Sequence, residues 1–210
     1  MDSVKKKIFL VRHGTTAYNE TGLLQGRIDN PLSPSGREEV SLLAEKLKSE
    51  PIGVIFSSPL KRAIETAELI NEFHRVPVRI IEPFVEIDMG EWDGVSFAAI
   101  QERDIDFFRR WAADPKIPVP GGESFTQVCR RVKPGIRKVL ASSEENVLIT
   151  AHATVNRAIL GNLLQMSPSV ARRFRVQNAA LSRLLMHENS GISRIVVDAW
   201  NDTSHLGVRA

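Results

Sequence analysis

Short apolar runs that stop at polar residues, each followed by a helix-length amphipathic pattern, constrain this chain more than any other feature. Ile8 to Val11 reads as a buried strand ending at Arg12-His13-Gly14, and Val54-Ile55-Phe56 as a second. Val78 to Ile81 is a third, and Asn146 to Ala151 a fourth that ends at His152. Between them lie helical patterns. Ser33 with Pro34 has the form of an N-cap followed by proline at the first helical position, and Val40, Leu43, Ala44 and Leu47 follow at helical spacing. Ser57-Ser58-Pro59 opens a helix carrying Arg62, Ala63, Ala67 and Ile70. Further helices are expected over Phe97–Trp111, after Ser124 with an interruption at Pro134, and over Val155–Leu164. Two late runs, Ala179 to Met186 and Ile192 to Val197, flank Asn189-Ser190-Gly191, a hairpin signal. The pattern predicts an α/β fold: a three-layer α/β/α sandwich whose mostly parallel central sheet gains a late antiparallel hairpin.

Length and composition bound the function. The 210 residues predict one domain spanning 1–210. The net charge is +3, with the basic residues scattered, too small an excess to argue for a nucleic-acid binder. A single cysteine, Cys129, rules out an internal disulfide framework, and a cytoplasmic protein is the expectation. Lys5-Lys6-Lys7 precedes only four apolar residues, short of the roughly 7–15 an export signal needs, so the run reads as a solvated N-terminus ahead of a strand. No apolar run approaches the roughly 18 residues of a membrane span.

In open parallel sheets, ligands bind beyond the carboxyl ends of the strands. Three predicted strands end there in Arg12-His13, in Ser57-Ser58 leading to Arg62, and in His152, which puts two imidazoles and two guanidinium groups on one rim. Arginine presents a planar fork of donors that suits phosphate oxygens, and neutral imidazole is a competent nucleophile. Arg12, Arg62 and a protonated His152 would bind a phosphate dianion opposite a neutral His13. A carboxyl group beside that dianion would protonate the leaving oxygen and later activate water. Other hydrolase routes lack their residues. A Cys-x5-Arg loop would need arginine where Gly135 stands, and Asp104-Ile105-Asp106 falls inside a helical pattern. There is no Gly-x-Ser-x-Gly elbow and no phosphate loop ending in Gly-Lys.

The run Leu10-Val11-Arg12-His13-Gly14, with Thr15-Thr16 and Asn19, resembles the signature of the histidine phosphatase superfamily, the phosphoglycerate-mutase-like proteins. The likeness continues in order through Gly26–Ser33, Ser57–Ala63, Glu86–Gly94, Gly121-Gly122-Glu123-Ser124, His152 and Asn201–Leu206. It implies that His13 becomes a phosphohistidine, that Arg12, Arg62 and His152 form the phosphate pocket, and that Glu86 is proton donor and then base. Asp88 and Glu91 are the substitutes for Glu86 in the same acidic segment. It also implies further phosphate contacts from Asn19 and the main chain near Gly14 and Thr16, and a substrate mouth at Gln25 and Gly26. No metal or other cofactor is implied, and the five histidines show no metal-ligand spacing. Family members often pair through a sheet edge or helix, which implies a homodimer.

One departure stands out. The family's Ser-His-Gly is Ala151-His152-Ala153 here, a relaxation resembling the metal-independent phosphoserine phosphatase branch, where threonine follows the histidine. The reading is therefore a metal-independent phosphomonoesterase acting on a small phosphorylated metabolite. Its rivals are a phosphoglycerate mutase and a non-catalytic phospho-ligand module. Phosphoserine, α-ribazole phosphate or a broad range are all open as substrates, with specificity expected between Asp93 and Gly122 and at Gln25 and Arg27. His74, His187 and His205 are read as structural, Trp92 and Trp111 as packing, Cys129 as a small buried hydrophobe, and Arg103, Arg109 and Arg110 as a helix coat.

Overall fold

The computed structural model describes residues 3–189 and 192–207. Six strands form one sheet: β1 (Ser3–Arg12), β2 (Val54–Ser57), β3 (Val78–Ile80), β4 (Asn146–Ala151), β5 (Leu181–Asn189) and β6 (Ile192–Asp202). Their spatial order is β3-β2-β4-β1-β5-β6. The first four are mutually parallel, whereas β5 runs antiparallel to β1 and to β6. This is the sandwich expected, with its late hairpin; the turn residues Ser190 and Gly191 lie outside the described residues.

Period-two alternation builds the two faces. On β1, Ile8 and Leu10 enter one core and Phe9 and Val11 the other. The helices are α1 (Ala17–Glu20), α2 (Pro34–Leu47), α3 (Lys61–His74), α4 (Phe97–Arg103), α5 (Ile105–Ala113), α6 (Phe125–Arg131), α7 (Lys133–Leu140), α8 (Ala153–Leu163) and α9 (Pro168–Ala171). Helices α2 and α3 cover the Phe9 face, and α6, α7 and α8 the Ile8 face. The chain therefore leaves β1 toward one face and the adjacent β4 toward the other, which opens a crevice where the two strands end.

Caps set the helix boundaries. Ser33 Oγ accepts the Gly36 N–H at 3.2 Å with Pro34 at the start of α2, as its sequence predicts. The single helix expected over 97–111 is instead two, because Asp104 adopts an extended backbone and accepts the Phe107 N–H at 2.8 Å, capping α5. Pro134 lies in the first turn of α7, where its missing N–H costs nothing, so the predicted interruption becomes a clean division between α6 and α7.

The lysine run departs from expectation. β1 begins at Ser3, and Lys6 is buried, its Nζ donating to the carbonyls of Ser142 (2.9 Å) and Glu144. Strand pairing on both sides draws this segment into the sheet. Trp92 and Trp111 pack edge-on at 4.8 Å with Phe107 and Phe108, forming a small aromatic core under α4 and α5. Arg103, Arg109 and Arg110 are exposed on those helices. Cys129 is only half-buried, and that burial pushes its thiol up to about 11. No helix among the described residues is long and apolar enough to cross a membrane.

Candidate active site

Strand register brings the predicted residues together. Arg12 pairs with Ala151 and Ser57 with Thr150, so the next residues on three adjacent strands, His13, Ser58 and His152, emerge side by side. The His13 N–H donates to the Ala151 carbonyl and the Ser58 N–H to that of Thr150, both at 3.0 Å, extending the ladder to the rim. The rings of His13 and His152 are 5.2 Å apart, centre to centre.

His13 is buried, and its Nδ1 lies 2.7 Å from the Gly14 carbonyl. A carbonyl only accepts, so Nδ1 carries the proton and Nε2 keeps its lone pair. Burial above all, then Arg62 and Arg12, pushes the His13 imidazole well below its ordinary pKa. Gly14 permits a close approach to α2: a Cβ there would lie 2.5 Å from the Gly36 carbonyl oxygen.

Arg62, at 0% exposure, donates from Nη1 to the Ile28 carbonyl and from Nη2 to that of Gly26, both at 2.8 Å. Arg12 donates from Nη1 to the Val176 carbonyl at 2.8 Å. Burial pushes both guanidinium groups down to about 10, against a raising effect of Glu86, so both stay cationic at neutral pH. Each keeps a buried Nε with no partner among the described residues, and so does His152 at Nδ1. His152 Nε2 is 2.7 Å from Ser58 Oγ, which also receives the Leu60 N–H. The serine proton can then go to Nε2, leaving Nδ1–H as a free donor. Unpaired buried donors cost about 1–3 kcal/mol each, and three in one cluster with two cations fit a tetrahedral anion.

His152 lies among the same cations. Burial first, then Arg62, His13 and Arg12, pushes that imidazole well below its ordinary range. Glu86 is buried beside the cations, its Oε1 accepting the Ile87 N–H (2.8 Å) and Oε2 the Thr154 N–H at the start of α8 (3.2 Å). The substitutes are engaged elsewhere. Asp88 accepts the Gly90 N–H at 3.0 Å and pairs with Arg27 at 3.2 Å, and Glu91 is exposed.

The outer residues form a frame. Thr16 and Asn19 make a capping box on α1, and Asn19 Oδ1 also receives Gln25 Nε2 (3.4 Å) and Asn178 Nδ2 (2.9 Å), which leaves Asn19 Nδ2 as its donor. Gln25 Nε2 donates to Thr16 Oγ1 at 2.6 Å. The main-chain N–H groups of Gly14, Thr16 and Gly26 are engaged by Thr66, Asn19 and Asp93. Three further residues had no sequence signal. Asn178 also donates to the carbonyls of His13 and Gly14, both at 3.3 Å. Ala179, held at φ 51°, donates its N–H to the His13 carbonyl at 3.1 Å. Arg157 donates to the Phe174 carbonyl at 2.6 Å and lines a cavity of about 390 Å³ that opens beside Arg12.

Comparison with known proteins decides the family. The sequence profile of the histidine phosphatase superfamily (branch 1) matches residues 8–203. The chain belongs to that superfamily. It is 36% identical over 203 residues to phosphoserine phosphatase 1 of Hydrogenobacter thermophilus, covering 96% of this chain and 94% of that protein. It is 31% identical over 180 residues to the adenosylcobalamin/alpha-ribazole phosphatase of Salmonella typhimurium, covering 85% and 89%. A mycobacterial glucosyl-3-phosphoglycerate phosphatase solved with VO3 superposes with a TM-score of 0.85 at 28% identity, covering 93% of this chain and 99% of that one. The fold is thus phosphoglycerate-mutase-like, and the protein is a phosphatase of the histidine phosphatase superfamily.

Proposed function

We propose that this histidine phosphatase hydrolyses the phosphate monoester of a small metabolite through a phospho-His13 intermediate and without a metal ion. The observation that carries the reading is the bare Nε2 of His13, fixed by the Nδ1–Gly14 hydrogen bond beside the unpaired Nε atoms of Arg12 and Arg62. The arginines supply the positive charge that the equatorial phosphate oxygens require, and Asn19 Nδ2 and His152 Nδ1 add donors. Gly14, Thr16, Gln25 and Gly26 serve by holding these groups in place.

In the first step Nε2 attacks phosphorus, an N–P bond forms and the ester P–O bond breaks. The leaving oxygen takes the proton of the Glu86 carboxyl group. In the second, water attacks the phosphohistidine while its proton passes to Glu86. The N–P bond breaks, and orthophosphate departs from a neutral imidazole. Arrival of a dianion beside His152 reverses the balance that keeps this imidazole neutral, so the bound anion draws a proton onto it.

A phosphate-release screen over phosphorylated metabolites in EDTA tests the reading and its substrate range. The predicted result is turnover with EDTA that a folded His13→Ala protein lacks. Residual activity above a few per cent in that variant overturns the covalent route. Conversion of 3- to 2-phosphoglycerate without phosphate release would instead indicate a mutase.

A further inference from the structure

The loop that carries Glu86 is held from behind by Arg131 and Glu123, with the more exposed Arg27 bridging Asp88 and Glu123 Oε2 at 3.2 Å each. Arg131, in the last turn of α6, donates from Nη1 to the Pro83 carbonyl (2.7 Å) and from Nη2 to the Glu86 carbonyl (2.9 Å). It also grips Glu123 with both edges of its fork, Nε to Oε1 at 2.8 Å and Nη2 to Oε2 at 3.0 Å. Glu123 in turn accepts the Asp88 N–H on Oε2 at 3.0 Å and donates its own N–H to the Asp88 carbonyl at 2.9 Å. The loop is thereby pinned at 83, 86 and 88. Both side chains are mostly buried, at 21% and 17% exposure, so water competes weakly for these charge-assisted bonds.

This arrangement gives a physical reason for Gly121-Gly122-Glu123-Ser124. A Cβ on Gly122 would lie 2.3 Å from the Asp88 carbonyl oxygen, so only glycine lets the two loops touch. Glu123 then supplies the carboxylate, and Ser124 caps α6, whose far end delivers Arg131. Thr154 fixes the Glu86 carboxylate from the opposite side.

We propose that the Arg131–Glu123 pair is a positioning device that aims the Glu86 carboxyl group at the leaving oxygen. Proton transfer needs a heavy-atom approach of about 2.6–3.2 Å, so a small drift of the loop defeats it. The inference rests on the phosphatase reading above and on Glu86 as its acid.

The test compares glycerol phosphate, whose alkoxide needs a proton, with p-nitrophenyl phosphate, whose leaving group departs without one. The readout is the ratio of their kcat/KM values. Glu86→Gln sets the scale and should lower the ratio by about 100-fold. Arg131→Gln should lower it by about tenfold, and Arg131→Lys should not restore it, because a lysine cannot reproduce the two-edged fork. In the Glu86→Gln background, Arg131→Gln should leave the ratio where it is. The proposal is overturned if Arg131→Gln slows both substrates equally, or if it lowers the ratio again when Glu86 is already gone. Should Arg131→Gln fail to fold, Glu123→Gln, which keeps an acceptor for Asp88, carries the same cycle with the same outcomes. A Glu86→Gln ratio equal to wild type would sink the acid assignment and this inference with it. A normal Glu86 effect with no Arg131 or Glu123 effect would sink the inference alone.

Discussion

The role proposed for His13 at neutral pH rests on one hydrogen bond and one environment that agree. The Gly14 carbonyl fixes the tautomer, and burial with two neighbouring guanidinium groups keeps the ring uncharged. His152 shares that environment, yet its role asks for a proton once an anion arrives. Tungstate, a tetrahedral dianion with no proton to exchange near pH 7, should therefore bind with net proton uptake, measured by calorimetry in buffers of different ionisation enthalpy. His152→Asn should reduce that uptake, the remainder being the Glu86 carboxyl group's share; equal uptake in both proteins would contradict the role. At this scale the sequence exposed His13, Arg12, Arg62 and His152, because Arg12 ends β1, His13 and His152 directly follow β1 and β4, Arg62 lies in the first turn of the helix after β2, and the fold gathers strand ends. It put Glu86 first but kept Asp88 and Glu91 as substitutes, since only the loop's path shows Asp88 turned to Gly90 and Arg27 and Glu91 left in solvent. Asn178, Ala179 and Arg157 were illegible for a related reason. They act through irregular chain whose course no periodicity encodes.

The elements that deliver these residues depend on local chemistry that can be removed one piece at a time. Ser33 is the N-cap of α2, the helix against which Gly14 packs, and Ser33→Ala should destabilise the protein by about 1 kcal/mol in urea unfolding. No change in midpoint would remove the cap from the account. Gly14→Ala should act differently. Its Cβ must push away the Gly36 carbonyl, so the His13 ring shifts, and activity should fall by far more than stability predicts. Caps and prolines made α2 and the division at Pro134 legible from sequence. Asp104 escaped the same logic: an aspartate within an amphipathic run reads as helical until its side chain is seen on the Phe107 N–H. The buried Lys6 escaped too, because its partners, the carbonyls of Ser142 and Glu144, are far away in the chain.

Across the whole molecule, the site imposes a cost on stability that pH reveals. His13 and His152 resist protonation when folded but accept protons near 6.5 when unfolded. The unfolded state then binds more protons as pH falls through that value, so stability should drop below about pH 6.5, by up to about 1.4 kcal/mol per pH unit for each histidine. Above it the contribution is flat. Urea midpoints at pH 5.5 and 7.5 test this, and His152→Asn should shrink the difference. The same cluster should make tetrahedral anions stabilising: phosphate should raise the melting temperature of the wild type but not of Arg62→Met, whose pocket lacks the central cation. A chemical trap reaches furthest. Enzyme mixed with a 32P-labelled substrate and quenched within milliseconds should carry acid-labile, alkali-stable label on the peptide containing His13. Stoichiometric label on any other residue, or none while phosphate appears in a burst, would contradict the covalent mechanism.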